Sequence, residues 1–372
     1  MENKYINDSN EINNRININQ EIDVNNIIPE NLSLYLNMIG GHSFFVEYCH
    51  KYLIKSIGKK ELKFYEFLRK NNIDSIHLPK FYGYIVKGSK SYENLVNYKM
   101  KCDIFFKSMV QFFQIKLEDI DIENEDVFKV KFKDFVSGTN DINNNNIILD
   151  KSFDNLKEEL IKIKRDCQKK LYWIFYWYIK WQKEFITDKY IIIQNLQFET
   201  KFPSVIDIKL GNGKKISKET GKVKIFKGAY ESMGCRIMGI SSNNLYFKSR
   251  YETKELSENK FLNELFLFFA NKKKIITSVI NELKEIIKFV EYKFCLKIFF
   301  CSLLIFFDNS HEEKDAIVKL IDFDLTNNNK DDLNYEIKNI EKNTDNQGLI
   351  QCMNNLVNLL EKLMNIKNKI CE

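Results

Sequence analysis

The chain has 372 residues, and 57 Lys+Arg against 51 Asp+Glu leave a formal net charge of +6. Apolar residues at 44% and charged residues at 29% describe a globular protein able to bury a sizeable core, not a disordered one. So mild a charge suits an anion bound at one place better than a basic coat for nucleic acid, and no nucleic-acid partner is expected.

Residues 1–30 contain nine Asn and little periodicity, which predicts a disordered leader over about 1–32. Short β-like runs at 43–46 and 52–55 flank a turn. Residues 61–69 have helical spacing, with Leu62, Tyr65 and Leu68 on one side. Residues 81–86 read as a strand. Two Asn-rich tracts, 137–146 and 327–346, read as loops, because they cannot bury enough surface to offset chain entropy. Between them, 153–187 predicts one long helix ending in the aromatic cluster LYWIFYWYIKW. Strands follow at 190–193 and 205–210. Residues 274–290 carry a continuous helical stripe from Ile275 to Val290. The ten-residue apolar run 298–307 is too short to cross a bilayer and reads as a buried strand or helix, so no membrane insertion is expected. A buried strand at 317–323 and a final helix carrying Leu349, Met353, Leu356, Leu360 and Leu363 complete an α+β pattern in two lobes.

Eight cysteines form no CxxC pair, and only four His are present, so a zinc site or a dense disulfide framework is not expected. The opening MENKYINDSN lacks the apolar core of a signal peptide. Both features point to an intracellular setting, cytoplasmic and/or nuclear.

The most informative segment is PSVIDIKLG at 203–211. Asp207 and Lys209 lie two apart on a strand, so both point to one face. Such a pair is ordinarily a surface ion pair of little worth. Here Val205, Ile206, Ile208 and Leu210 argue for burial, and then Lys209 can meet a phosphate while Asp207 takes a hydroxyl or a metal. Lys209, Lys214, Lys215, Lys218, Lys222, Lys224 and Lys227 follow, against Glu219 alone. A charge run is usually a solvated face, yet starting at this strand it would also attract a polyanion. No aromatic residue interleaves before Phe226, which disfavours nucleic acid.

Asp322, leaving the apolar strand of VKLIDFDLT, is placed to hold Mg²⁺, which takes only one or two protein carboxylates. Lys55 ends the run Tyr52-Leu53-Ile54 and Glu61 opens the next helix, the pairing by which protein kinases aim a lysine at ATP phosphates. Neither a Walker A pattern nor a GxGxxG loop is present.

Together these residues resemble the inositol polyphosphate kinases. Pro203, Asp207, Lys209 and Gly211 match that family's PxxxDxKxG signature. GGHS at 40–43, Lys55…Glu61 and LPKFYGY at 78–84 resemble its N-lobe; SMGCRIMGI at 232–240, Ser302-Leu303-Leu304 and LIDFDLT at 320–326 resemble its C-lobe. The wording of GGHS, of GCRIMG and of residues 246–265 is closest to the inositol hexakisphosphate kinases.

The resemblance implies a two-lobed, protein-kinase-like and ATP-grasp-like fold with the nucleotide between lobes. It implies an N-lobe at 33–196 with an insertion at about 96–185, and a C-lobe at 197–372. Lys55 would contact ATP phosphates with Glu61 orienting it. Gln194, Asn195 and Leu196 would form the hinge that holds adenine through backbone groups. Asp207 would bind the nucleotide, and Lys209 the substrate and the transferred group. Asp322 would hold Mg²⁺ with help from Ser302, and Lys222, Lys224 and Lys227 would clamp substrate. The implied reaction is transfer from ATP to inositol hexakisphosphate. Multikinase or trisphosphate 3-kinase activity, or an inositol-phosphate-binding pseudokinase, are the alternatives. Three positions depart from the family pattern: Gln194 where Glu is usual, Leu325 where His or Lys is common, and Asp324 in place of a small residue.

Overall fold

The computed structural model describes residues 22–37, 39, 45–57, 59–71, 73, 75–115, 153–184, 187–198, 200–211, 214–216, 223–225, 227–242, 246–270, 272–292, 300–311, 314–324 and 346–370. Two antiparallel five-stranded sheets, covered by helices, organise them. The first is built from β1 (Leu32–Leu34), β2 (Phe45–Tyr48), β3 (Tyr52–Ser56), β4 (Phe81–Val86) and β5 (Lys189–Gln194), in the order β1-β2-β3-β5-β4. Helix α1 (Lys59–Lys70) follows β3. The turn joining β2 to β3 runs through Cys49 and His50, both with left-handed φ near 50°.

Among the described residues, three helices lie between β4 and β5: α2 (Lys90–Phe113), α3 (Asp154–Asp166) and α4 (Gln168–Glu184). Ser89 caps α2 by accepting from the Tyr92 N–H at 3.2 Å. Buried Leu95, Tyr98, Cys102, Phe105, Phe106, Met109, Val110 and Phe113 recur at helical spacing and turn one face of α2 inward. The single helix expected over 153–187 is broken at Cys167, whose backbone (φ −157°, ψ 84°) leaves the helical region. No Gly or Pro marks the break, and packing decides it. Leu160 and Ile163 of α3 and Trp173, Phe175 and Tyr178 of α4 are all buried, and the break lets both helices turn an apolar face inward.

The second sheet contains β6 (Pro203–Leu210), β9 (Cys235–Ser242), β10 (Tyr246–Ser249), β11 (Phe300–Asp308) and β12 (Ile317–Asp324), in the order β10-β9-β6-β11-β12. The apolar run at 298–307 is therefore strand. A two-stranded ribbon, β7 (Lys214–Ile216) with β8 (Val223–Ile225), carries part of the lysine run. Helices α5 (Ala229–Met233), α6 (Arg250–Thr253), α7 (Glu258–Phe269), α8 (Lys273–Tyr292) and α9 (Gln347–Ile370) complete this lobe. Gly234 is obligatory at the end of α5: its φ is +71°, and an added Cβ would lie 2.2 Å from Cys352 Sγ.

Residues 22–32, inside the leader expected over 1–32, are built into the fold. Ile27 is fully buried, and its N–H donates to Ser91 Oγ at 2.9 Å. Ile27 and Leu32 supply enough apolar surface to anchor the segment on α2. Residues 1–21, the tract 137–146 and the tract 327–345 lie outside the described residues.

A continuous apolar core runs through both lobes. Behind the cleft, Phe64 of α1 stacks on Phe323 of β12 at 3.9 Å, and the Leu320 N–H donates to His77 O at 2.9 Å. On the other side α4 braces the C-terminal sheet. Trp173 stacks on Tyr251 of α6 at 5.6 Å, and Lys169 pairs with Glu252. No helix among the described residues is long and apolar enough to cross a membrane.

Candidate active site

Between the two sheets lies a cavity of about 830 Å³, part of it open to solvent. Lys55, Glu61, Gln194, Leu196, Asp207 and Asp322 line it. Six residues from five separate segments thus meet in one cleft.

Each reaches it for a local reason. β3 is the central strand of its sheet, and Lys55 there is only 6% exposed. Its Nζ donates to Glu61 Oε1 at 3.1 Å and to Asp322 Oδ1 at 2.5 Å, so the ion pair joins the two lobes. Burial alone would push the Lys55 ammonium down, but the charges of Asp322 and Glu61 more than offset it and hold it well above the usual lysine range. Burial pushes Glu61 up, helped by Asp322 and opposed by Lys55.

Asp322 owes its position to a β-bulge. The register passes from Ser302↔Ile321 to Phe300↔Asp324, so Asp322 and Phe323 together oppose Cys301. Asp322 adopts φ +54°, a left-handed conformation that Asp tolerates better than most residues. The bulge turns its carboxylate across the cleft to Lys55.

Asp207 lies opposite, on β6, in register with Leu304. Burial pushes its carboxyl up to about 7, and the charge of Asp322 adds to this; a hydrogen bond with Ser302 and the charges of Lys209 and Lys55 pull the other way. Its Oδ1 is buried with no hydrogen-bond partner among the described residues. An orphaned carboxylate oxygen beside a second carboxylate fits a nucleotide hydroxyl, or a cation shared with Asp322. Among the described residues no cluster of three or more His, Cys, Asp or Glu could hold a metal unaided. That suits an ion that borrows its other ligands from bound phosphates and water.

The other expected site residues are placed as follows. Ser302 is 3% exposed, hydrogen-bonds Asp207 and lies outside the cavity lining. Asn195 is also outside it. Its amide donates at 2.7 Å to Glu47 Oε1 and to His50 O, anchoring the hinge to the β2–β3 turn. The N–H groups of Gln194 and Asn195 are spent on Lys80 O and Lys51 O, both at 2.9 Å. Only the Leu196 N–H of the three has no partner among the described residues. Lys209 shares a face with Asp207 and stands in register with both Ser302 and Arg236. Lys227 is exposed and does not line the cavity. Lys224 is on β8 with its side chain outside the described set, and Lys222 and Leu325 lie outside the described residues.

Sequence reasoning missed Arg236. It lies across from Lys209 on β9, half-buried, with its guanidinium 5.2 Å from the centre of the Tyr230 ring. Burial and the like charge of Arg250 lower its pKa, while Tyr230 and Asp207 raise it. Arg250, at the start of α6, is thus a further cation near Arg236. The GCRIMG motif was the available signal, but strand pairing was needed to set it beside Lys209.

Residues 190–361 match the family model of inositol polyphosphate kinase. This part of the chain is similar to that family. It contains nearly all of β5, the cleft residues Asp207 and Asp322, and the Lys209–Arg236 pair, but not Lys55 or Glu61. Among curated proteins, inositol hexakisphosphate kinase 2 of Oryctolagus cuniculus is 27% identical over 144 residues, covering 35% of this chain and 34% of that protein. The Homo sapiens protein of the same name is 27% identical over 145 residues, with the same shares. The matches span about a third of the length of these curated relatives. Among solved structures, inositol phosphate multikinase from S. cerevisiae in complex with ADP and Mn²⁺ is 17% identical, with a TM-score of 0.34 over 47% of this chain and 84% of that chain.

Proposed function

We propose that this protein is an ATP-dependent inositol polyphosphate kinase. The chain Glu61–Lys55–Asp322, closed across the cleft with Asp207 buried opposite, carries the reading. Adenine lies at the hinge and takes the Leu196 N–H. Lys55, oriented by Glu61, neutralises charge on the nucleotide phosphates, and Asp207 accepts from a nucleotide hydroxyl. Asp322 would hold Mg²⁺ with the phosphates. Ser302, outside the cavity lining, steadies the Asp207 carboxyl by its hydrogen bond. The ion supplies charge neutralisation where phosphoryl transfer needs it.

On the substrate side, Lys209, Arg236 and Arg250 offer cations to a polyanion. The bond from the γ-phosphorus to the β,γ-bridging oxygen breaks, and one from the γ-phosphorus to the acceptor oxygen forms. We propose inositol hexakisphosphate as the acceptor and a diphosphoinositol pentakisphosphate as the product. Its acceptor is a phosphate oxygen, already ionised, so the step releases no proton and needs no strong base. A less phosphorylated inositol with a hydroxyl acceptor is the second reading, favoured by Asp207, whose pKa near 7 suits a proton acceptor.

Incubation with labelled ATP, Mg²⁺ and a panel of inositol phosphates tests both. A diphosphate product from hexakisphosphate, lost in Asp322→Asn, supports the first. Turnover of trisphosphate alone supports the second. Labelled-ATP binding without any transfer would leave only a binding protein.

A further inference from the structure

Lys170, on α4 in the segment between β4 and β5, is 1% exposed. Burying a lysine is costly unless something is gained by holding it there. Its ammonium lies against Asn37 Oδ1 at 3.4 Å. Burial pulls it down to about 8, while the charge of Glu159 on α3 and the neighbouring Cys167 hold it up.

Lysine is a donor only, so it dictates which end of the Asn37 amide faces it. The carbonyl oxygen must point at Lys170, and the NH₂ must point elsewhere. Asn37 lines the cleft, and its NH₂ has no acceptor among the described residues.

Strand register places this donor. Leu32, Tyr48, Tyr52 and Gln194 align at the hinge end of the first sheet, whereas Leu34, Val46 and Lys55 lie toward the other end. Asn37 lies beyond Leu34, away from the hinge. Two residues on, Ile39 packs against Val205 and Phe306 of the second sheet, so Asn37 is where the chain crosses the mouth of the cleft.

We propose that Lys170 is a positioning residue that fixes Asn37 as a hydrogen-bond donor to the ribose–phosphate part of the bound nucleotide. The helices between β4 and β5 are thereby part of the nucleotide site. This inference rests on the nucleotide reading above and adds residues that the reading does not require.

Calorimetric titration of the full chain with ADP and with adenosine, at pH 7, tests it. Asn37→Ala and Lys170→Met should each weaken ADP binding about five- to tenfold, the loss of one hydrogen bond. The double variant should be no weaker than either single, because both act through one donor. Equal losses for adenosine place the ribose hydroxyls at Asn37; losses for ADP alone place the phosphates there. In turnover, the ATP KM should rise with kcat little changed. Asn37→Asp keeps an acceptor for Lys170 but removes the donor, and should weaken ADP at least about tenfold. If Asn37→Asp binds like wild type, or the two single losses add, the inference is wrong whatever Lys170→Met does to folding. If wild type binds no ADP at all, the kinase reading itself falls. If wild type binds and the variants match it, only the Lys170–Asn37 role falls.

Discussion

Asp207→Asn should stabilise the ligand-free protein while abolishing its activity, and the stabilisation should depend on pH. Asp207 is 4% exposed, and its carboxyl titrates near 7 against 3.8 for an unhindered aspartate. Between those values the folded protein keeps a proton that the unfolded chain has released. Wild-type stability therefore falls as pH rises from about 4 to about 7, and levels off above that. At about 1.4 kcal/mol per pH unit, the three-unit gap amounts to about 4 kcal/mol. Asparagine resembles the protonated acid and does not titrate. The variant should match wild type near pH 4 and exceed it by up to about 4 kcal/mol at pH 8. For a chain of 372 residues that is a rise in melting temperature of about 5 °C. Melting followed by circular dichroism at several pH values, comparing variant with wild type, isolates this group from all others. A difference independent of pH, or a variant less stable than wild type at pH 8, would refute the account of Asp207.

Lys55→Met should remove transfer activity and destabilise the fold by about 3–5 kcal/mol at neutral pH, because Glu61 is left buried beside Asp322 without its cation. Part of that loss should return toward pH 5, as the raised pKa of Glu61 lets it take up a proton; urea unfolding at two pH values checks this. Arg236→Ala should raise the KM for the inositol polyphosphate acceptor at least about tenfold and leave the KM for ATP unchanged, measured by steady-state kinetics. Trp173→Ala should cost about 3–5 kcal/mol in chemical unfolding, since the ring is buried and stacked on Tyr251 of the opposite lobe.

What was legible in the sequence is what local pattern determines. The strands around Lys55, Asp207 and Asp322 are short apolar runs bounded by polar residues, and all three form where the pattern places them. The cleft between lobes was what the family resemblance implied, and these three residues carry part of that resemblance. Helix α2 was equally legible from Leu95, Tyr98, Cys102 and Phe106, but it lay inside a stretch with little family resemblance. The break at Cys167 was not legible, because local helix propensity runs straight through it and only packing of the two halves ends it. The bulge at Asp322 and the pairing of Arg236 with Lys209 are consequences of sheet register, which joins residues far apart in the chain. Of the lysines at 222, 224 and 227, only Lys227 has a described side chain. Charge density drew attention to them, yet Lys227 is exposed and does not line the cavity, whereas half-buried Arg236 pairs with Lys209.

The contact between Lys55 and Asp322 constrains how the cleft can be filled. At 2.5 Å each compensates the other's charge, and a ligand that draws one away leaves the other uncompensated. A bare anion would draw Lys55 away but face the negative charges of Asp322 and Asp207. A bare divalent cation would draw Asp322 away but leave the buried Lys55 with Glu61 alone. Only a ligand that brings both charges compensates both partners at once. Nucleotide and divalent cation should therefore bind cooperatively, each tightening the other by the same factor, as linkage requires. A coupling of about 1–3 kcal/mol corresponds to a five- to 150-fold change in affinity. Titrating ADP with and without Mg²⁺, and Mg²⁺ with and without ADP, measures both arms. In Asp322→Asn the coupling should collapse while ADP alone binds no worse than before, because the carboxylate that opposed the anion is gone. Equal ADP affinity with and without Mg²⁺ in the wild type would mean that this ion pair does not gate the site.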